Sequence, residues 1–455
     1  MEEDLRLLTG GRGEEEEIPA HITSPTIVIN EAWACVKEVA QNALEAYLYY
    51  CKNHSYPHSY LLGLDILITG KIDPNNKNKV IDIRPTILEG PCCNSYPACP
   101  GFFSKRLYLQ LKASGYPVDK VNYPVNPNLI LDKLVDAFQF LWEKEGKAGK
   151  PVIGVFTRPY SESEEETAHL EVIKAFKRRG FETLRITPEE KPYVKEGRIW
   201  VGTIPVDMCY RRIERIHVPV FYGEKLAKSI IEDTPNTYWI NPWKIDDLRS
   251  KTIEERAFRE WERWSGKTIS RPVTLLPEEI TTDKIKEMLS EGGYVHKLWN
   301  STGGKGVFLH VYLPSVENIY SQLYRRFDGR HMILITEESL PNYLKEIENL
   351  SVDATVQQLR TIDARKLSEE KRLVYDTRIN VLFNARKGEW EFISGISRCV
   401  PCGENIENGN SLLTNVSSGA ELAPLVMGES KEEVKEFTFG PLLSALMEGK
   451  KEVYF

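Results

Sequence analysis

Residues 295–307 read Val-His-Lys-Leu-Trp-Asn-Ser-Thr-Gly-Gly-Lys-Gly-Val. Lys297 ends a short β-like run. A small, glycine-dense loop follows (Ser301, Thr302, Gly303, Gly304, Lys305, Gly306), and a second β-like run, Val307 to Tyr312, leaves it. Glycines let backbone N–H groups approach a polyphosphate, and a lysine adds a point charge, so the chemistry on offer is nucleotide phosphate binding. Gly-Gly between two strands is also the mark of an ordinary hairpin. Downstream, Gln357 and Gln358 lie in a strand-like run with polar side chains and accessible backbone, able to hydrogen-bond an adenine edge. Asp376-Thr-Arg378 opens a strand, Arg398 closes the next, and Asn415 precedes Ser417-Ser418-Gly419.

These residues need elements to hold them. Apolar residues at three- and four-residue steps (Trp33, Val36, Ala40, Ala43, Leu44, Tyr47, Leu48) predict a helix over 30–52. Strands are expected at Leu62 to Thr69 and Lys79 to Arg84, joined by a polar Asp-Pro-Asn-Asn turn. Pro85 to Pro100, with its prolines and cysteines, is expected to be a shaped loop. Pro151 to Phe156, a helix from Ser161 to Arg179 stopped by Gly180, and Phe181 to Ile186 form a β-α-β unit. Its first turn has no glycine, which argues against a dinucleotide fingerprint. Val206 to Arg212 reads as another strand, whose Arg211 and Arg212 either meet an anionic substrate or end the strand in solvent. Ala354 to Leu359, Asp376 to Phe383 and Trp390 to Cys399 are strands, the last two antiparallel about a turn at 385–388. Downstream of Asn415 only a short acidic helix is expected.

The 455 residues suit two or three domains. A hydrophobic content of 41%, a charged content of 27%, a net charge of −7 and a pI near 5.8 describe a globular chain with no basic field for nucleic acid. The acidic Met1-Glu2-Glu3-Asp4 start is the wrong charge for a signal peptide, and no apolar run is long enough for a membrane span; a cytoplasmic location is expected. Two cysteine groups, Cys92-Cys93 with Cys99 and Cys399 with Cys402, read either as a metal or disulfide site or as reduced thiols. If they act together, both belong beside the substrate pocket. No repeat of 20 to 50 residues is visible.

The order of these features resembles the ATP-grasp superfamily. There, a lysine and a Gly-rich flap cover ATP, a hinge strand holds adenine, and D-x-R and a later arginine face the substrates. Lys251, in Asp246-Asp-Leu-Arg-Ser-Lys, resembles the first of that family's two nucleotide lysines. The family's last strands, bearing G-x-D and the metal-binding E-x-N, match the N-terminus instead: Gly63-Leu-Asp65 and Asp82-Ile-Arg84. This looks like a circular permutation, as in eukaryotic-type glutathione synthetase and relatives of glutathionylspermidine synthase. The resemblance implies an α/β, circularly permuted ATP-grasp fold with an inserted Rossmann-like domain. Its parts would be 1–20 (a flexible N-terminus), 21–105 (metal-bearing strands), 106–250 (Rossmann-like substrate domain), 251–350 (flap subdomain) and 351–455 (C-terminal ATP-grasp subdomain).

On this resemblance, Lys251, Lys297, Ser301, Thr302, Gly303, Gly304, Gly306, Gln357, Gln358 and Asn415 bind ATP. Asp65 and Asp82, on adjacent strands, hold Mg²⁺, although Asp65 reads equally as a solvent-facing or strand-capping residue. Arg378 and Arg398 stabilise an acylphosphate, or else form surface ion pairs. Arg84 stands where the family has asparagine, and arginine cannot ligate a metal. Either Glu89 or Asn94 replaces that ligand, or Arg84 binds phosphate or a substrate carboxylate, or the site is degenerate. The activity implied is an ATP-dependent ligase joining a carboxylic acid to an amine or thiol. A phosphotransferase and a non-catalytic nucleotide-binding protein are the alternatives. Small-molecule acid and amine partners are expected, with neither nucleic acid nor membrane, and a homodimer is left open.

Overall fold

The computed structural model describes residues 26–73, 76–92, 130–159, 165–290, 293–298, 307–312, 332–335, 337, 339–347, 354–358, 373–401 and 421–428. The chain opens with β1 (Thr26–Ile29), α1 (Asn30–Asn53), β2 (Leu61–Asp73) and β3 (Asn76–Cys92). It continues with α2 (Ile130–Lys144), β4 (Ile153–Phe156), α3 (Glu165–Arg178) and β5 (Thr183–Ile186). Then come β6 (Tyr193–Lys195), β7 (Arg198–Val201), β8 (Ile204–Pro205), β9 (Met208–Arg211), α4 (Val218–Tyr222), α5 (Glu224–Glu232) and β10 (Tyr238–Trp239). After a 3₁₀ segment at Trp243–Arg249 follow α6 (Lys251–Ser265), β11 (Thr274–Leu275), α7 (Thr282–Ser290), β12 (Gly293–Leu298) and β13 (Val307–Tyr312). The last elements are β14 (Met332–Ile335), α8 (Leu340–Ile347), β15 (Ala354–Gln358), β16 (Leu373–Asn384), β17 (Glu389–Pro401) and β18 (Glu421–Gly428).

The helix read from apolar periodicity is α1. Its Trp33, Val36, Ala40, Ala43, Leu44 and Tyr47 are buried against β2, β3 and α6, with Leu48 packed at the edge of the same core. The sheet beneath has the order β1-β18-β17-β16-β2-β3, so three strands from early in the chain flank three from its end. A second sheet, β10-β9-β4-β5, is parallel throughout. Helices α2 and α3 bury Phe138 and Phe176 on one side of it, and α4 and α5 bury Val218 and Ile230 on the other. The expected β-α-β unit is β4-α3-β5, and Gly180 follows α3 with φ of 75°. Its proposed N-cap, Ser161, lies outside the described residues. A third sheet, β11-β15-β12-β13-β14, packs on α7 and α8 through Leu275, Ile285, Met288, Tyr294, Ile335 and Leu344. A small β6-β7-β8 meander completes the described sheets.

Two expectations fail, each at a proline. Pro85 does not begin a loop, because β3 runs on to Cys92. Proline cannot donate to a ladder, but β3 is the sheet edge, where a missing N–H costs little. The run 421–428 is a strand although it contains Pro424. Its pairing with β17 covers Glu421 to Pro424 and its pairing with β1 begins at Leu425, so the proline sits where one ladder hands over to the other. The acidic helix expected near the C-terminus lies outside the described residues. No helix of the described residues is long and apolar enough to cross a membrane.

Helix α6 joins the first and third sheets. One face puts Ala257, Phe258 and Trp261 into the core under α1. The other carries Glu255, which is 4% exposed and accepts hydrogen bonds from Arg259 at 2.7 Å and from Arg271 at 2.9 and 3.0 Å. Arg259 also donates to Glu279 at 2.6 and 2.9 Å and to the Thr274 carbonyl on β11 at 2.7 Å. Removing one partner of a buried pair leaves an uncompensated charge. Glu255→Ala is therefore expected to cost about 3–5 kcal/mol in urea unfolding. Arg256→Ala, which breaks an exposed pair with Glu278, is expected to cost under about 1 kcal/mol.

The same network predicts a pH dependence. Hydrogen bonds from Arg259 hold the Glu279 carboxyl at about 2, below its ordinary 4.5, against the opposing effect of burial. A depressed folded-state value stabilises above the unfolded value, and the contribution is lost as pH falls from about 4.5 to about 2. The urea midpoints of wild type and Glu279→Gln should therefore differ at pH 7 and converge as pH approaches 2.

Candidate functional site

The site is built across three strands of the first sheet. Register sets Asp65 of β2 opposite Glu89 of β3 on one side and opposite Arg378 of β16 on the other. Directly opposed carboxylates repel, and the β2–β3 pairing is irregular on both sides of Asp65. Arg378 compensates. It donates from Nε and Nη2 to the two oxygens of Asp65 at 2.6 and 2.7 Å, a fork-to-fork pair around a carboxylate only 2% exposed.

Lys251 reaches this row from the start of α6. Its Nζ lies 3.1 Å from Glu254 and 3.6 Å from Glu89. The approach depends on Gly90: a Cβ there would meet Glu254 Cδ at 2.7 Å and Phe258 Cζ at 2.9 Å. Only a residue without a side chain lets the first turns of α6 sit this close to β3. The segment before Lys251 is pinned by arginines of the second sheet and the loop after it. Arg211 donates to both oxygens of Asp246 at 2.6 and 2.8 Å and to the Asn241 and Ile213 carbonyls, with its guanidinium 4.4 Å from the Trp243 ring centroid. Arg215 pairs with Asp247, and Arg249 with Glu214 at 2.8 Å. Arg211 thus does not end its strand in solvent; it is a buried clamp. Arg212 is buried as well, and burial lowers its pKa, with Glu214 opposing.

The other predicted residues divide into four groups. Lys297 and Gln357 are placed by the third sheet. The expected hairpin is β12–β13, and β12 also pairs with β15, setting Lys297 opposite Thr355 and Val295 opposite Gln357. Gln358 is opposite Tyr294, in the alternate set. Tyr294, His296 and His310 are buried in that alternate set, where Tyr343 and His310 Nδ1 are hydrogen-bonded at 2.6 Å. Burial pushes His310 down to about 3 and lowers His296. Arg398 lies opposite Asp376, two positions along from the Arg378–Ile396 pair and in the same alternating set.

Two residues are not brought to the row. Arg84 is exposed and opposite Thr69, five positions from Glu89 (84 to 89), or roughly 15 Å along the strand. Asp82 falls between the Ile81–Lys71 and Arg84–Thr69 pairs. Asp65 and Asp82 do stand on adjacent strands, but Glu89 is the carboxylate opposite Asp65. The irregular register, invisible in the sequence, moved the partner. Ser301, Thr302, Gly303, Gly304, Gly306 and Asn415 lie outside the described residues.

The sequence raised Glu89 only as a substitute ligand and passed over Glu254. The signal for Glu254 was its three-residue spacing from Lys251, which puts both on one helical face. Among the described residues no three His, Cys, Asp or Glu side chains gather closely enough for a metal ion, and both Asp65 oxygens are engaged by Arg378. Asp82 lies seven positions along β3 from Glu89 (82 to 89), the residue opposite Asp65, so the described backbone does not bring the predicted Mg²⁺ pair together. Nor do the strand-borne cysteines converge. Cys92 is level with Gly63 and Asn380, while Cys399 is opposite Tyr375, three strands and five positions away, about 20 Å.

No protein-family model and no curated protein matches the sequence. Among solved structures, a glutathione synthetase-like effector from Globodera pallida in apo form matches 93% of this chain and 94% of its own, with a TM-score of 0.51 and 9% identity. A candidate gamma-glutamylcysteine synthetase from Methylobacillus flagellatus matches 89% and 90%, with a TM-score of 0.43 and 10% identity. The first likeness is one of fold. It agrees with the mixed α/β architecture expected from the sequence.

Arg378→Ala would leave the buried Asp65 carboxylate without its fork partner and is expected to cost about 3–5 kcal/mol in urea unfolding. An Asp65→Ala, Arg378→Ala double variant should lose clearly less than the sum of the two single losses, since neither charge is stranded.

Proposed function

We propose that this protein is an ATP-dependent ligase of the ATP-grasp type, joining a carboxylic acid to an amine or thiol. The observation that carries the reading is the meeting of Asp65 and Glu89 of the β2–β3 pair, Lys251 of α6 and Arg378 of β16 in one charged row. Three of these four, Asp65, Lys251 and Arg378, are candidates on the family resemblance alone. The early strands β2–β3 beside β16 support the permuted form of the fold, with the parallel β10-β9-β4-β5 sheet as the inserted substrate domain.

In this reading the acid's carboxylate oxygen attacks the γ-phosphorus of ATP and ADP leaves. The nucleophile then attacks the acyl carbon and phosphate leaves, the amine or thiol proton passing to solvent. Such transfer depends on positioning and on stabilising charge over the phosphoryl oxygens. Lys297 and the loop after it would hold the polyphosphate, with the β15 backbone beside the adenine. Lys251 and Arg378 would meet anionic oxygens, with Arg398 along the same set of positions. No step is assigned to a metal, because the described residues do not assemble the predicted pair.

One observation favours a second reading, a nucleotide-binding protein without turnover. Lys251 and Arg378 are engaged by carboxylates of the chain itself, so the row is largely self-neutralised. The assay that separates the two supplies ATP as its magnesium complex to pools of acids and amines and follows ADP. The ligase reading predicts ADP release only when both an acid and a nucleophile are present. It also predicts a loss of about 100-fold in Lys297→Ala with the fold retained. ATP binding by calorimetry without ADP release from any pool would favour the second reading, and unchanged turnover in Lys297→Ala would contradict the first.

A further inference from the structure

The hairpin that carries Lys297 has a register that its apolar pattern does not fix. By the observed pairing, Tyr294, His296, Phe308, His310 and Tyr312 fall in one alternating set, and Val295, Lys297, Val307, Leu309 and Val311 in the other. A slip of one residue exchanges the two faces, against the burial of Tyr294, His296 and His310. A slip of two keeps them. It sets Tyr294 opposite Phe308 or Tyr312 instead of His310, again a ring, and Val295 opposite Val307 or Val311 instead of Leu309, again aliphatic. Nor does the turn decide. Two-residue loops fix register, but the eight residues 299–306 connect Leu298 to Val307.

A polar contact does distinguish the registers. The Tyr343 hydroxyl, on α8, is hydrogen-bonded to His310 Nδ1 at 2.6 Å and to the Tyr294 hydroxyl. Tyr294 and His310 are direct partners on β12 and β13, their rings stacked at 4.5 Å with 7° between planes. Tyr343 thus ties the helix layer to both strands at once. In a slipped register Phe308 would offer no polar atom beside Tyr294, and a Tyr312 hydroxyl stands farther from its backbone than an imidazole nitrogen. Stability alone does not account for the contact, because His310 Nε2 is buried and meets no hydrogen-bond partner. Buried polar groups of this kind are best attested as devices that select one register among several.

We propose that Tyr343 is a positioning residue: with His310 and Tyr294 it locks the β12–β13 register, and so sets where Lys297 stands along the hairpin. A slip of two residues would move Lys297 by about 7 Å relative to β13. The consequence for a nucleotide rests on the place the ligase reading gives to Lys297, whereas the lock itself does not.

The test traps the register by disulfide formation in the full chain. Val295→Cys is combined with Leu309→Cys for the observed pairing and with Val307→Cys or Val311→Cys for the two slips, linked peptides being identified by mass spectrometry. Direct cross-strand partners lie within disulfide reach, and partners displaced by two residues do not. Each pair is made in the otherwise unchanged chain, in a Tyr343→Phe, His310→Leu double variant, and in Met288→Ala. The last opens the core under the same sheet but leaves the polar contact in place. Slipped pairs should link in the double variant at yields comparable with the 295–309 pair, and only in traces in the other two backgrounds. If the three registers become equally populated, about a third of the molecules stay competent and the apparent Kd for magnesium-ATP rises about threefold. Exclusive 295–309 linkage in the double variant overturns the proposal, as do slipped links of equal yield in Met288→Ala. Slipped links with unchanged ATP affinity would keep the lock and remove Lys297 from the nucleotide site. Weakened ATP binding without slipped links would remove the lock and leave Lys297 its role.

Discussion

Two carboxylates, Asp65 and Glu89, face each other across neighbouring antiparallel strands, and such an arrangement holds only where cations are delivered to it. Much of the fold around them can be understood as that delivery. Strand β16 brings Arg378 to the far side of Asp65, which requires the late part of the chain to lie beside β2. Helix α6 brings Lys251, and Gly90 lets the helix come close enough. The buried Arg211–Asp246 clamp fixes the turn from which Lys251 starts. These contacts span residues 65 to 378, so the row acts as a staple between distant parts of the sequence.

Helix α6 also gives the row a mechanical link to the hairpin of Lys297. From Lys251 the helix runs to Glu255 and Arg259, whose hydrogen bonds reach Glu279 and the Thr274 carbonyl. Thr274 is opposite Gln357 on β15, and β15 is the neighbour of β12. Ion pairs with several good hydrogen bonds on each partner hold geometry well, whatever their net contribution to stability. The two regions that resemble a nucleotide site are therefore coupled through one helix, with only short paths between them.

Much of the architecture was legible in the sequence because it depends on local pattern. The apolar steps of α1, the alternation of β16 and β17 and the β-α-β unit all follow from periodicities that burial imposes. The glycine-dense loop and Lys251 stood out because their residue types are unusual where they occur. Proline misled at β3: whether a proline breaks a strand depends on which side lacks a partner, and that is a property of the sheet. Register was the larger omission. The motif reading paired Asp65 with Asp82 and gave Arg84 a role, whereas the irregular β2–β3 ladder pairs Asp65 with Glu89. A shift of this kind exchanges partners without altering any local propensity, so it cannot be read from spacing.

The central claim is that the charged row and the Lys297 hairpin belong to one nucleotide-responsive site, and hydrogen exchange with and without magnesium-ATP tests it most directly. The account predicts that ATP slows exchange together in β12 and β13, at the start of α6 and across the Asp65–Arg378 pairing of β2 and β16. Protection confined to one of these regions, or no protection in any of them at saturating ATP, would contradict it.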